Sequence, residues 1–137
     1  MSFTPPEIFF DPGYEVIDAT MLHARGQYWL IFKDERPEPL HKEIKIARGP
    51  SVEGPWTNIQ GPFTEAWSEG PSALEIDGKY VIYYDHYHVS PVRYEAIGSS
   101  DLEHWEPIND RVTFPKGCKH GSFLKLTPEE AERLKRK

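Results

Sequence analysis

Cysteine is almost missing from this chain. Cys118 is the single one among 137 residues, which excludes an internal disulfide and any zinc site built on cysteines. No apolar run approaches the ~20 residues needed to cross a bilayer. The opening segment MSFTPPEIFF has neither the basic nor the apolar region of a secretory signal. The expectation is a soluble, cytoplasmic chain with no membrane partner. A basic stripe is also lacking: 16 Lys and Arg stand against 22 Asp and Glu, a net charge of −6. Nothing of that kind tracks a phosphate backbone, so nucleic acid is excluded as a partner. His120 lies two residues from Cys118, but a lone cysteine beside Gly117 reads as a small packing residue rather than a catalytic thiolate.

What the chain has instead is aromatic side chains, at 13%, punctuated by 13 prolines and ten glycines. That composition favours short strands over helical bundles. The segment 18–34 (DATMLHARGQYWLIFKD) places two apolar runs around Arg25-Gly26, and 69–85 (EGPSALEIDGKYVIYYD) does the same around Asp77-Gly78. Both are hairpin signatures, the second among the strongest short-range ones. A small-residue strand, a turn and a tryptophan follow each hairpin. Ala47, Gly49, Ser51 and Trp56 thus recur as Ala96, Gly98, Ser100 and Trp105, 49 residues later. A four-strand unit with a period near 50 is what a β-propeller blade requires. The runs YWLIF at 28–32 and YVIYY at 80–84 lack alternation, as strands covered on both faces do. A plain antiparallel sandwich is the alternative. In the tail, Thr127-Pro128-Glu129-Glu130 carries an N-cap, a proline at the first helical position and a glutamate at the third, which predicts a helix over 127–137. The expected organisation is one all-β domain over 1–137. It has blade-like repeats at about 14–66 and 67–115, the start of a further blade at 118–126, and the helix.

Asp18, Glu69 and His120 each begin a repeat and stand 51 residues apart. Equal spacing predicts equivalent positions in successive blades, where first strands line the propeller channel, so the three side chains should meet at one mouth. Two carboxylates and an imidazole in one depression suit general acid and base work. The competing reading makes the carboxylates turn caps and the histidine a packing residue. Asp85-His86-Tyr87-His88 offers a second candidate, since histidines two apart on a strand share a face. Asp85 or His120 would then add metal ligands.

At these residues the chain resembles glycoside hydrolase family 43, the arabinanase, β-xylosidase and arabinofuranosidase group built on a five-bladed β-propeller. Val16-Ile17-Asp18-Ala19 is similar to its blade-three aspartate motif, Glu69-Gly70-Pro71 to its general-acid motif and His120-Gly121-Ser122 to its blade-five histidine motif. FFDPGY at 9–14, FKDE at 32–35 and GPW at 54–56 also fit. The resemblance implies a partial five-bladed propeller holding the C-terminal blades and acting on arabinose- or xylose-containing glycans with inversion. It makes Glu69 the general acid and Asp18 the residue that tunes and orients it. It also puts His120 at the channel floor, where the family holds a water or a metal ion. No cofactor is required, though a channel calcium ion belongs to the pattern, reached by His120 through water. Trp29, Trp67, Tyr84 and Tyr87 are candidate sugar-stacking residues.

One part of the pattern is missing. Inversion needs a second carboxylate as base, which the family draws from its first blade. Asp11-Pro12 lies on the approach to the Asp18 strand and does not take that place. The expectation is an incomplete glycosidase, completed by further N-terminal blades or by self-association through the faces of YWLIF and YVIYY. The alternatives are a non-catalytic carbohydrate-binding module and a propeller fragment serving as scaffold.

Overall fold

The computed structural model describes residues 3–135. Eight strands form two four-stranded antiparallel sheets of the same topology, followed by one short helix. The first sheet takes β1 (Val16–Ala24), β2 (Gln27–Asp34), β3 (Glu43–Gly49) and β4 (Thr57–Gln60) in chain order. The second takes β5 (Ser68–Ile76), β6 (Lys79–His86), β7 (Arg93–Ser99) and β8 (Glu106–Pro107). Each is a meander in which every strand pairs with its sequence neighbour, the arrangement of a propeller blade. The chain is therefore all-β, two blades of a propeller. No helix among the described residues is long and apolar enough to cross a membrane.

The hairpin turns sit where the sequence pattern put them. Arg25-Gly26 and Asp77-Gly78 both have positive φ at both residues, as a two-residue loop matching the strand twist requires. Each β2-type strand then uses both of its faces. In blade one, Trp29 and Ile31 point forward and join Ile44 and Ile46 against Tyr80, Ile82, Tyr84 and Ile97 of blade two. The alternate residues Leu30 and Phe32 point backward with Ala47. Blade two repeats this, with Val81, Tyr83, Tyr94 and Ala96 forming its forward face.

The outer faces of the pair are not bare, contrary to the expectation that YWLIF and YVIYY would lie open. Phe10 and Tyr14 of the N-terminal segment pack with Trp56 on Leu30 and Phe32. On the other end, Phe114 meets Tyr83 and Tyr94 edge-on, and Phe123 stacks on Tyr83 at 4.2 Å. Segment 118–126 forms no strand, so it begins no further sheet and serves as a cover over blade two. Cys118 lies within that cover as a packing residue.

The helix α1 runs Pro128–Lys135, and Arg136 and Lys137 of the expected span lie outside the described residues. Its start is a capping box: Glu130 Oε2 accepts from Thr127 N at 2.8 Å, and the Thr127 hydroxyl accepts from Glu130 N at 3.3 Å.

Blade one is closed at its inner end by a charged knot on the backward face. The fully buried Asp34 accepts two hydrogen bonds from the Arg36 guanidinium, at 2.9 and 2.6 Å, and one from Lys45 Nζ at 2.8 Å. Burial opposes a charge there, but these donors outweigh it and hold the carboxyl well below the usual carboxylate range. A depressed folded pKa means stability that is complete above the ordinary carboxylate value of ~3.9 and lost as pH falls through the folded value. Asp34→Asn should therefore cost about 3–5 kcal/mol at pH 7, because two cations lose their partner. Urea unfolding at pH 7 and at pH 3 checks this, with the gap between variant and parent expected to narrow at the lower pH.

Candidate active site

The site lies where the two first strands begin, and a matching irregularity marks both. Register slips between Ile17 and Thr20 in β1 and between Glu69 and Ser72 in β5. Each bulge holds a residue in the left-handed region, Asp18 at φ 53° and Gly70 at φ 57°. Bulges of this kind turn side chains out of the regular pleat, and they concentrate beside active sites.

This register revises the meaning of the 51-residue spacing. Ile17 faces Lys33 and Glu69 faces Asp85, so the blades repeat at 52 residues along these strands. Asp18 is thus equivalent to Gly70, and the rung of Glu69 is held by Ile17 in blade one. His120 is also left-handed, at φ 46°. Asp18, Glu69 and His120 still meet, but through contacts and not through identical positions.

Those contacts form two chains. In the first, Asp18 Oδ2 accepts the Gly70 N–H at 3.0 Å and lies 3.9 Å from His120 Nε2. His120 is fixed from behind by the fully buried Asp85, whose Oδ2 accepts the His120 backbone N–H at 3.0 Å and also pairs with the ring Nδ1. Burial pushes the Asp85 carboxyl up, and its bonds to His120 pull part of the way back. Its second oxygen, Oδ1, is buried without a partner. In the second chain, Lys33 Nζ of blade one lies 2.7 Å from Glu35 Oε2, 3.1 Å from Glu69 Oε2 and 3.4 Å from the Tyr87 hydroxyl. Burial alone would favour loss of the Lys33 proton, but hydrogen bonds to Glu35, Glu69 and Tyr87 more than compensate and raise its pKa.

The aromatic candidates divide. Trp67 and Tyr87 stand at the cleft, edge to face at 5.7 Å, with His88 stacked on Trp67 at 4.4 Å. Trp29 and Tyr84 do not reach it. Trp29 is buried between the blades and donates to Ala24 O, while Tyr84 is buried in the same core with its hydroxyl on Glu95. Their positions in unbroken apolar strands account for this, since both faces of such strands are covered. His86 and His88 are not brought together: His86 turns to Glu95 and Arg93, and His88 goes to Trp67. Asp11 is exposed and accepts the Gly13 N–H at 2.8 Å in a local turn.

Glu69, Asp85 and His120 each present a ligand atom within 4.8 Å of the others, which is the place to test a channel ion. Calcium asks for six to eight oxygens. Here two carboxylates are on offer; one is already bonded to the Lys33 ammonium and the other to two nitrogens of His120. This donor set does not suit calcium. The second grouping, Asp34 with His41 and Glu43, is already occupied by Arg36 and Lys45.

Lys33, Glu35 and the role of Asp85 behind His120 escaped the sequence reading. A signal was available. Lys33 continues the forward face of Trp29 and Ile31, and Asp85 that of Val81 and Tyr83, and a charge at such a position demands a partner.

A two-blade propeller piece with carboxylates, an imidazole and aromatics gathered where its first strands begin has the build of a carbohydrate-processing domain. A family model for a domain related to glycoside hydrolase family 43, described as a probable glycosyl hydrolase domain, matches residues 1–132, and the chain belongs to that family. No curated protein matches it.

Gly70 makes the convergence possible, since a Cβ there would lie 2.9 Å from the His120 ring and the backbone is left-handed. Gly70→Ala should cost about 1–3 kcal/mol from the strained conformation and displace the imidazole. Thermal unfolding with the ring-proton NMR shifts of His120 checks both, and an unmoved ring would contradict the packing described.

Proposed function

We propose that the chain hydrolyses O-glycosidic bonds in arabinose- or xylose-containing glycans, with Glu69 as the general acid and inversion at the anomeric carbon. The observation that carries this reading is the 3.0 Å bond from Gly70 N–H to Asp18, which ties the two first strands together and holds Asp18 beside the candidate acid. In this mechanism Glu69 gives its proton to the departing oxygen as the glycosidic C–O bond breaks. Water supplies the oxygen that bonds to the anomeric carbon and releases its proton to a base. Asp18 orients the acid through the Gly70 backbone, His120 borders the sugar site, and Trp67 and Tyr87 offer faces for a ring to stack on.

The base is supplied from outside the two blades. Inverting enzymes separate their carboxyl groups by roughly 6.5–9.5 Å so that water fits between them, and among the described residues the other carboxylates near Glu69 are engaged: Asp18 with the Gly70 amide, Glu35 with Lys33 and Lys42, and Asp85 with His120. Ile8, Phe9 and Ile17 remain exposed on the face next to Asp18, as do Phe123 and Leu124 at the opposite end. These are the edges against which neighbouring blades, from a longer chain or a second copy, would pack. Exposed apolar patches of this kind mark interfaces.

Two measurements test the reading. Glu69→Gln should lower turnover of methyl arabinofuranosides or xylosides by about 10²–10⁴-fold, and lower it far less for dinitrophenyl glycosides, whose leaving group needs no proton. Equal losses on both would exclude Glu69 as the acid, and binding of oligosaccharide with no turnover of either would favour the carbohydrate-binding alternative. Sedimentation over a range of concentrations should show association, whereas a robustly active monomer would remove the need for an outside base.

A further inference from the structure

We propose that Lys33 is a positioning residue for the candidate acid, dictating which oxygen of Glu69 carries the proton; the proposal rests on the hydrolase reading above. The ammonium reaches across the junction between the blades and donates to Glu69 Oε2 at 3.1 Å. An oxygen that accepts a hydrogen bond from an ammonium is a poor site for a proton. In the protonated acid the hydrogen therefore sits on Oε1, the oxygen without a bond to Lys33. Proton transfer from Oε1 to the leaving oxygen breaks the glycosidic C–O bond and leaves Glu69 as a carboxylate. The fixed ammonium then gains a full ion pair. An interaction that strengthens as charge develops accelerates the step.

Three features make this more than a chance surface pair. Lys33 is 1% exposed, so it cannot swing away into solvent. Its charge is already answered by Glu35 at 2.7 Å, and Glu35 is held in turn by Lys42. Burial opposes charge on Glu35, but the two lysines outweigh it and hold that carboxyl below its ordinary range. Lys33 therefore keeps its place beside Glu69 whether Glu69 is protonated or ionised. The third feature is the repeat. Asp85 occupies in blade two the rung that Lys33 occupies in blade one, and it too reaches forward to clasp a polar residue, His120, in the segment that follows. The Tyr87 hydroxyl, 3.4 Å from Nζ with its ring 4.8 Å away, closes the remaining side.

The test compares Lys33→Met and Lys33→Arg with the parent chain on a methyl glycoside and on the matching dinitrophenyl glycoside. Lys33→Met is expected to lose at least tenfold more kcat on the methyl substrate than on the dinitrophenyl one, with KM changing less than kcat, and Lys33→Arg to recover part of the difference. A Lys33 that only braces the fold would lower both substrates together, and that result overturns the proposal. If Glu69→Gln shows the leaving-group difference and Lys33→Met does not, positioning by Lys33 fails while the hydrolase reading stands. If neither variant shows it, or the parent turns over neither substrate, both fail. A crystal structure of Lys33→Met supplies a readout independent of turnover: the Glu69 carboxylate should leave the position in which Oε2 accepts from residue 33 across the blade junction, and a carboxylate that stays there overturns the proposal.

Discussion

A lysine buried in a β-sheet must be answered by carboxylates, because an ammonium removed from water without a partner would lose its proton or unfold its surroundings. Lys33 is answered by Glu35 on its own blade and Glu69 on the next. The requirement therefore ties blade one to the first strand of blade two at the point where the candidate acid stands. Blade packing and site geometry become one problem. The forward apolar face of Trp29, Ile31, Ile44 and Ile46 supplies the bulk of the contact, and the lysine at its inner end sets where that contact stops.

The same logic runs through the rest of the molecule with the charges exchanged. Asp85 is buried at the corresponding rung of blade two, and the imidazole and backbone of His120 answer it. That clasp brings a residue from the C-terminal cover into the cleft, although 118–126 forms no strand. On the backward face of blade one, Asp34 is answered by Arg36 and Lys45. Each inner strand end thus carries a buried charge, and a propeller suits this, since polar inner rims can coexist with apolar blade interiors.

Strain collects at the same rim. Asp18, Trp67, Gly70 and His120 all hold positive φ within a few residues of the site, and three of the four have side chains that make the left-handed region costly. The bulges that impose it turn Asp18 toward the Gly70 amide and leave room for the His120 ring where a Cβ would stand. The gain is convergence: side chains from three stretches of sequence share one small volume.

Much of this was legible in the sequence. The hairpin turns, the tryptophan-ended repeat and the unbroken apolar strands follow from local rules, because turn type and side-chain periodicity are decided within a few residues. The capping box at Thr127 is equally local. The resemblance to glycoside hydrolase family 43 was legible too, and the family model matches residues 1–132. What the sequence could not determine depends on register and on burial. A 51-residue spacing suggested equivalent rungs, but the bulges and the 52-residue strand repeat place Gly70, and not Glu69, opposite Asp18 in the pattern. Trp29 and Trp67 are the same residue type, yet one is sealed between blades and the other stands at the cleft. Lys33 reads in the sequence as the polar end of a strand. Only tertiary structure makes it a buried charge, because what a charged side chain does is fixed by the partner that packing brings to it from another blade.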